Sequence, residues 1–321
     1  MEKSTHKVEV VPVKLDPHPN ADSLSVVRIF DGYTCCVRTV DWHDGQLAAY
    51  IPPDSVVDST RPEFAFLAGH ERIKVKKLRG VVSMGLLIPA PERATIGDDV
   101  AEHFGVTHYE PPLPMSTGGE VESPPAGYRP AFDVDSLRRY GSVFEKGEPV
   151  WITEKIHGTS ARYCWWDGRI WCGSRTEWKR EDEKIVWWRA LRLTPQVEAF
   201  CKEHPDITVY AEVYGQVQDL KYGTKKNEVY LAVFDLLCGS EWIDPHEART
   251  IGKDLPWVPL LHSSFPFEME TILREAEGPS LMSGANHVRE GIVVKPKVER
   301  THLEIGRVCL KIVGNGYLER A

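Results

Sequence analysis

The sequence predicts an α+β protein with two domains, a small N-terminal β-barrel or sandwich and a larger mixed-sheet domain. Residues 1–110 contain short β-rich runs that are broken by Asp-Gly, Pro and Asn. Residues 111–130 contain six prolines and three glycines, so they cannot continue a helix or a central strand and are expected to form a linker. Residues 131–321 combine buried-looking strands with interspersed helices, which is typical of an α+β or mixed-sheet domain.

Length and composition exclude several classes of protein. The chain of 321 residues suits two domains, and 42% hydrophobic with 27% charged residues is ordinary for a globular protein. No stretch approaches the roughly 18–20 apolar residues of a membrane span, and no apolar segment follows the charged N-terminus as in a secretory signal. The seven cysteines include no Cys-x-x-Cys, which argues against a zinc site or disulfide framework. We therefore expect a cytoplasmic protein with reduced thiols.

The N-terminal domain combines a predicted barrel with one cationic segment. Its predicted strands are Val8–Val13, Leu24–Phe30, Tyr33–Val40, Leu47–Ile51, Ile73–Leu78 and Gly85–Ile88. The formal net charge of the chain is −8, so any polyanion site must be a local patch. Residues 72–79 supply five cations, and strand alternation would place Arg72, Lys74 and Lys76 on one face, where they could hold a phosphate backbone. A solvated edge strand protected by lysines would show the same charges.

The C-terminal domain has two kinds of predicted element. The strands are Val150–Thr153, Ala161–Trp165, Thr208–Val213, Val229–Leu236, Gly291–Lys295 and Val308–Val313. The helices are Lys184–Leu193, Gln196–Glu203 and Glu268–Glu277. The glycine-rich signatures of P-loop and Rossmann phosphate sites are absent from the sequence.

Lys155 is the first candidate for chemistry, because it leaves the apolar strand residues Trp151 and Ile152 and precedes Gly158 by three positions. The strand end would fix the amine, and Gly158 would let the backbone turn close to a ligand. A lysine nucleophile must lose its proton, and desolvation and neighbouring cations can lower its pKa. An exposed turn lysine would give the same local pattern.

Later segments add an acid, an aromatic ring and further lysines. Glu212 lies in an apolar strand and could bind a ribose hydroxyl, or simply face outward. Phe234 could stack on a base or belong to the core. Glu290 could hold Mg²⁺, while Lys295 and Lys311 could neutralise phosphate unless they reach the surface as snorkelling lysines.

The order of these motifs resembles that of the covalent nucleotidyltransferases, the ATP-dependent ligases and mRNA capping enzymes, over about residues 150–313. Thr153–Thr159 is similar to the RNA ligase form of the first motif, whereas DNA ligases and capping enzymes usually have Asp at the position of His157. His18–Leu24, followed by Arg72–Leu87, resembles the OB module of the nick-sealing fifth RNA ligase family, although His-Pro-Asn-Ala-Asp also occurs in tRNA-binding OB domains. The resemblance implies an OB-fold over residues 1–110 and an ATP-grasp-like adenylyltransferase domain over residues 131–321.

The resemblance also implies roles for individual residues. Lys155 would attack the α-phosphate of ATP and become lysyl-AMP, with Lys295 and Lys311 contacting phosphate as further catalytic residues. Glu290 would help to place Mg²⁺ or Mn²⁺. The expected nucleotide-binding residues are Glu154, Ile156, Gly158, Arg175, Glu212 and Phe234. The expected nucleic-acid-binding residues are Arg72, Lys74, Lys76, Lys77 and Arg79.

Two departures from the family pattern concern charge and hydrogen bonding. Many relatives have Lys-x-Lys where this chain has Lys311-Ile312-Val313, and many have Asn where it has Ser160. The expected function is ATP-dependent RNA ligation of 3′-hydroxyl and 5′-phosphate ends, at nicks in duplexes with an RNA 3′ end. No membrane and no obligate protein partner are expected. The alternatives are a GTP-dependent capping guanylyltransferase and a non-catalytic OB-fold nucleic-acid-binding protein.

Overall fold

The structure is a computed structural model that describes residues 6–109 and 121–320. The described residues divide into two compact units. The first unit contains residues 6–109 with Arg138–Gly141 and residues 318–320, and the second contains residues 121–137 and 142–317. None of the helices in the described residues is long and apolar enough to span a membrane.

The first unit is a small β structure built from short strands. Its described strands are β1 (Glu9–Pro12), β2 (Asp16–Pro17), β3 (Leu24–Ile29), β4 (Tyr33–Arg38), β5 (Leu47–Ile51), β6 (Ser55–Val56), β7 (Lys76–Leu78), β8 (Val81–Ser83), β9 (Leu86–Pro89) and β10 (Thr107–His108). They pair in the orders β1-β5-β9, β2-β3-β4, β7-β8 and β10-β6. Helix α1 (Ala101–Phe104) and the 3₁₀ turns Thr39–Asp41 and Pro62–Leu67 complete it.

The core of the first unit lies on both faces of β5. Ala49 and Ile51 pack with Val8, Phe64 and Phe104 in one apolar cluster. Ala48 and Tyr50 belong to a second cluster, together with Val27 and Leu87. Alternate residues of one strand therefore supply two cores, as the two-residue period of a strand requires.

The predicted strand Ile73–Leu78 is wrong over its first half, because β7 begins only at Lys76. Residues 72–73 pair with a different neighbour: Arg72 bridges Val56, and the Ile73 N–H donates to the Ser55 carbonyl. The run therefore does not form one continuous strand, and alternation cannot place Arg72, Lys74 and Lys76 on a common strand face.

The second unit contains longer strands and most of the helices. Its described strands are β11 (Val121–Glu122), β12 (Asp135–Ser136), β13 (Pro149–Lys155), β14 (Thr159–Trp166), β15 (Arg169–Ser174), β16 (Trp178–Lys179), β17 (Ile207–Gly215), β18 (Val229–Cys238), β19 (Glu241–Trp242), β20 (Leu260–Pro266), β21 (Gly291–Pro296), β22 (Thr301–His302), β23 (Gly306–Arg307) and β24 (Leu310–Val313). The helical segments after α1 are α2 (Leu137–Tyr140), the 3₁₀ turn Gly141–Val143, α3 (Val186–Leu193), α4 (Pro195–Glu203), α5 (Pro245–Ile251), α6 (Met269–Glu275) and α7 (Asn315–Leu318). Most of α2 belongs to the first unit.

Two sheets position the candidate site. In the described residues, a seven-stranded sheet has the order β11-β16-β15-β14-β17-β18-β19, and a five-stranded sheet has the order β12-β24-β21-β13-β20. Helices α3 and α4 cover the larger sheet, and the fully buried Trp187 and Trp188 belong to that core. The chain passes from β13 of the smaller sheet to β14 of the larger one through Ile156, His157 and Gly158. Lys155 is therefore the last residue of β13 before the chain crosses from the smaller sheet to the larger one.

Apart from Ile73–Leu78, the predicted strands and helices are confirmed to within two residues at each end. The α+β class with an N-terminal small β domain is confirmed as well. Of the predicted linker, residues 111–120 lie outside the described residues. Val121 and Glu122 form the edge strand β11, which pairs with β16.

Candidate active site

A cleft in the second unit is lined by residues of both sheets. Its lining residues are Phe132, Asp133, Val134, Thr153, Glu154, Lys155, Ile156, Ser160, Arg175, Glu212, Phe234, Val258, Val293, Lys295 and Lys311. The structure thus brings together eight of the predicted catalytic and nucleotide-binding residues, which span positions 154 to 311 of the chain. Glu290 belongs to the same site through its contact with Lys155.

Lys155 and Glu290 form the central ion pair of the cleft. Lys155 pairs with Gly291 across β13 and β21, which places the preceding Glu290 beside the end of β13. The Lys155 Nζ lies 2.8 Å from each Glu290 carboxylate oxygen. Burial raises the pKa of Glu290, but the charges of Lys155 and His157 outweigh it and lower that pKa to about 2.

In this cleft the pKa of Lys155 is raised rather than lowered. Burial does lower the pKa of the amine, but Glu290 and Glu212 outweigh it, so the pKa lies above its ordinary value. The sequence indicated the neighbouring cations but not the direct pairing with a carboxylate. Lys155 can therefore become a neutral, reactive amine only if its ion pair with Glu290 is weakened.

His157 connects Glu290 to a second acid. Its Nε2 lies 2.7 Å from the Asp219 Oδ1, and its Nδ1 lies 3.5 Å from the Glu290 Oε2. The backbone N–H of His157 donates to the Tyr222 hydroxyl at 2.7 Å. Burial lowers the pKa of the imidazole, but Glu290 outweighs it and the pKa is raised. The ring is therefore held between two carboxylates in a setting that favours its charged form.

Glu212 faces the cleft from the opposite sheet, where it pairs with Ser160 across β17 and β14. Burial raises its pKa to about 7; Lys155 opposes the rise, and the nearby Glu290 adds to it. A carboxyl group that is half-protonated near neutral pH can donate or accept a hydrogen bond. Such a group suits a hydroxyl-bearing ligand.

Lys295 has an anionic partner within the protein. Its Nζ lies 2.7 Å from the Asp235 Oδ2 and 3.1 Å from the Phe234 carbonyl oxygen. Arg307 binds both oxygens of the same carboxylate, at 2.7 and 3.1 Å. Burial raises the pKa of Asp235, but Arg307 and Lys295 outweigh it and lower the pKa. A lysine in an apolar strand is expected to have an anionic partner, and Asp235 is such a partner for Lys295.

Lys311 shows the opposite arrangement. Among the described residues, none of the carboxylates lies within ion-pair distance of its amine, although the side chain lines the cleft. Burial and the charge of Lys155 lower the pKa of Lys311. A buried cation beside another cation favours an anionic ligand, because the anion would offset both the loss of hydration and the repulsion between the two cations.

The apolar wall of the cleft contains Phe234 and one ring that the sequence did not reveal. The Phe132 ring lies 4.7 Å from that of Phe234 and 5.6 Å from that of Trp242, between centroids. Ile156 belongs to the adjoining apolar cluster with Phe234. Phe132 follows directly on the predicted linker and has no motif of its own, so only its apolar character in a polar stretch could have indicated it.

Glu154, Arg175 and Gly158 differ in how they meet the cleft. The Glu154 carboxylate accepts hydrogen bonds from the Ser280 hydroxyl and the Leu281 N–H, so its side chain anchors that loop. Arg175 lines the cleft with Asp133 3.8 Å away. Gly158 does not line the cleft; a Cβ there would stand 2.0 Å from the Val213 carbonyl oxygen, so close packing against β17 requires glycine.

The predicted nucleic-acid-binding residues all belong to the first unit. Lys74, Lys76, Lys77 and Arg79 are exposed. Arg72 differs, since its guanidinium lies 2.7 Å from the Asp54 Oδ1 and 3.8 Å from the centre of the Tyr109 ring. Arg72 therefore has a structural role within the unit.

The donor set of the cleft can be compared with the divalent cation that the resemblance implies. In the described residues, no group of three or more His, Cys, Asp or Glu side chains is arranged to hold a metal ion. Mg²⁺ commonly uses one or two carboxylates and takes its other ligands from water and substrate phosphates. Glu290 provides a carboxylate of that kind beside Lys155, in a cleft that Lys295 and Lys311 also line, so the cleft fits such a cation.

Comparison with known proteins identifies the family. A family model described as RNA ligase matches residues 148–313, which is just over half of the chain. The chain belongs to the RNA ligase family. A second model, an OB-fold domain, matches residues 7–90 of this RNA ligase. The resemblance drawn from the motif series is thereby confirmed. The predictions that the protein is an RNA ligase and that it has an OB-fold module are confirmed as well.

Solved structures share the fold of the ligase over nearly its full length. A Naegleria gruberi RNA ligase mutant with ATP and Mn is 23% identical, with 98% of both chains covered and a TM-score of 0.83. The same Naegleria enzyme with pyrophosphate is 24% identical, again with 98% of both chains covered and a TM-score of 0.83. Another mutant of it, with AMP and Mn, is 23% identical, covers 98% of this chain and 99% of its own, and has a TM-score of 0.83. No curated protein sequence matches the chain.

Proposed function

We propose that this RNA ligase is ATP-dependent, forms a covalent lysyl-AMP at Lys155, and joins 3′-hydroxyl to 5′-phosphate ends at nicks in duplexes with an RNA 3′ end. The observation that carries the proposal is the cleft itself. It holds a lysine amine at a strand end, 2.8 Å from the carboxylate of Glu290, with Lys311 unpaired by any described carboxylate. The Naegleria relatives solved with ATP, AMP and pyrophosphate support the nucleotide as substrate.

The first step is a displacement at phosphorus. The neutral Lys155 amine attacks the α-phosphorus of ATP and forms a P–N bond. The bond from that phosphorus to the bridging oxygen breaks, pyrophosphate leaves, and the nitrogen gives up one proton to water. Lys295 and Lys311 would neutralise charge on the phosphates. When bound, a divalent cation supplies positive charge beside the amine and the α-phosphate. Glu290 would hold it and would thereby weaken its own ion pair with Lys155.

The base and the ribose would occupy the remaining surfaces of the cleft. Phe234, supported by Phe132, offers an aromatic face for adenine. Glu212 offers a carboxyl group with a pKa of about 7 to a ribose hydroxyl. In the following steps AMP passes to the 5′-phosphate of the nick, and the 3′-hydroxyl then attacks that phosphate and releases AMP.

The decisive experiment is covalent labelling with α-labelled ATP or GTP in the presence of Mg²⁺, followed by denaturing electrophoresis. We expect ATP to label the wild type and to leave Lys155→Ala unlabelled. Lys297→Ala is the matched control, because Lys297 is exposed and does not line the cleft. Label from GTP would instead favour a capping guanylyltransferase, and the absence of any label would contradict covalent catalysis.

The proposed preference for an RNA end is tested with pre-adenylylated enzyme on matched nicks. One duplex carries ribonucleotides at the 3′-hydroxyl end, the second carries deoxynucleotides there, and the 5′-phosphate strand is identical in both. We expect faster sealing of the RNA-ended nick. Equal rates would contradict the preference while leaving lysyl-AMP formation intact.

A further inference from the structure

A two-residue turn in the first unit carries a cation in an unfavourable backbone conformation. Strands β7 and β8 are joined by Arg79 and Gly80, with Leu78 paired to Val81. Arg79 has φ 45° and Gly80 has φ 91°, and positive φ at both positions is the mark of a type I′ hairpin turn. Asn, Asp or Gly usually occupies the first position, because a larger L-residue is strained there.

The turn is fastened by the loop that contains His18 and Asn20. The Asn20 N–H donates to the His18 Nδ1 at 3.1 Å, so Nδ1 is an acceptor and Nε2 carries the ring hydrogen of the neutral imidazole. That Nε2 then donates to the Leu78 carbonyl oxygen at 3.1 Å. The Asn20 amide donates to the Arg79 carbonyl oxygen at 2.9 Å. Two consecutive carbonyl groups at the turn are thus fixed by one neighbouring loop.

The same hairpin concentrates positive charge in an otherwise acidic region. Residues 1–110 hold twelve basic and sixteen acidic side chains. Within the described residues, Lys74, Lys76 and Arg79 are exposed and lie beyond ion-pair distance of any acid. Lys77 pairs with Glu319 at 3.2 Å. Arg79 is therefore both strained and available to an anion.

We propose that Arg79 contacts the phosphodiester backbone of an RNA duplex, and that His18 and Asn20 are positioning residues that hold its turn in place. The inference rests on the proposed function, which supplies a nicked duplex as substrate. Strained residues persist where the surroundings enforce them, and they cluster at functional sites. Asparagine would fit this turn position with less backbone strain than arginine. The property that arginine adds there is its positive charge.

The test compares Arg79→Asn with Arg93→Asn. Arg93 is a matched control, because it is an exposed arginine of the same unit and also has positive φ, at 69°. Both substitutions should raise the denaturation midpoint, since asparagine tolerates positive φ. Only Arg79→Asn should weaken binding of a nicked RNA duplex several-fold and reduce the slope of log affinity against log salt by about one.

Asn20→Ala separates positioning from charge. It keeps every cation but removes the hydrogen bond to the Arg79 carbonyl, so RNA affinity should fall while the salt slope stays near that of the wild type. Arg79→Gly repeats the charge removal with a residue that the turn accepts freely.

Equal RNA affinity and salt slope in Arg79→Asn, Arg79→Gly and Arg93→Asn would overturn the inference. The labelling of Lys155 is measured separately on wild-type protein. Failure of that labelling would contradict the proposed function alone, whereas the RNA-binding titrations test the proposed contact of Arg79 with the RNA backbone.

Discussion

Among single residues, Glu290 controls the charge of its neighbours in the cleft. It accepts both contacts from the Lys155 amine and stands 3.5 Å from the His157 ring, and its charge raises the pKa of each. Free enzyme therefore stores the lysine as an ammonium group. In the proposed mechanism Glu290 would also hold the divalent cation, and that would weaken its ion pair with Lys155.

Glu290→Gln is expected to slow adenylylation about 10²–10³-fold, the size of effect seen when one preorganised electrostatic group is lost. The amide keeps the shape but loses the charge that positions the lysine and attracts a cation. Single-turnover labelling with ATP measures the rate. Glu304→Gln, an exposed acid of the same unit, should leave it unchanged. A Glu290→Gln rate within about threefold of the wild type would contradict this role.

His6 predicts a pH dependence of stability in the first unit. Burial and the adjacent His108 lower the pKa of His6 to about 4, whereas an unfolded histidine titrates near 6.5. The unfolded state therefore binds more protons between these values, so stability is fully present above about pH 6.5 and is lost as the pH falls towards 4. Urea unfolding should show a loss of about 1–2 kcal/mol between pH 7 and 5. His6→Gln should flatten that interval, and an unchanged pH profile in this variant would refute the assignment.

Single residues could be predicted where a motif lies in an apolar strand. Lys155, Glu212 and Lys311 were found in this way, because each lies in a strand whose apolar neighbours made it conspicuous. Arg307 could not be found: it reaches Asp235 from 72 positions away, and local periodicity contains no information about that partner. The same limit explains why the predicted strand alternation was wrong at Arg72, which bridges Val56 and pairs with Asp54.

At the level of elements, close contact between β21 and β24 fixes Glu290 and Lys311 relative to one another. A Cβ on Gly291 would lie 1.9 Å from the Ile312 carbonyl oxygen, so Gly291→Ala must push the two strands apart. We expect a loss of about 2–4 kcal/mol in the free energy of unfolding, as in other overpacked or strained sites. Denaturant unfolding measures it.

Gly168→Ala is the matched control for that substitution. A Cβ on Gly168 would meet open space, so alanine there would be disfavoured only by the positive φ of 73°. We expect a cost of about 1 kcal/mol there. A Gly291→Ala variant no less stable than Gly168→Ala would show that β21 and β24 can separate without cost.

The elements that the sequence predicted are those with a strong apolar signal. Strand β20 (Leu260–Pro266) was missed because polar residues occupy its middle and proline ends it, as suits an edge strand paired only with β13. Strand β15 (Arg169–Ser174) was missed because its apolar residues are confined to three consecutive positions and a tight turn precedes it. The pairing order of the two sheets could not be read from the sequence, since it depends on contacts between distant segments.

For the whole molecule, the net charge of −8 contrasts with two local concentrations of cations. One lies in the cleft, where Lys155, Lys295 and Lys311 meet. The other is the exposed segment Lys74–Arg79 of the first unit. An acidic protein should bind nucleic acid weakly outside such cationic segments, so we expect its affinity for RNA to depend on a small number of phosphate contacts.

That small number sets a measurable salt dependence. Three or four contacts from Lys74, Lys76, Lys77 and Arg79 predict a slope of about −3 to −4 for log affinity against log salt on a nicked RNA duplex. Raising the salt from about 50 to 200 mM should then weaken binding on the order of 10²-fold. Lysyl-AMP formation, measured at the same salt concentrations, should change much less because its charges are buried. A slope near zero would mean that this segment does not bind the backbone, and a slope near −8 would require further cations that the present assignment leaves out.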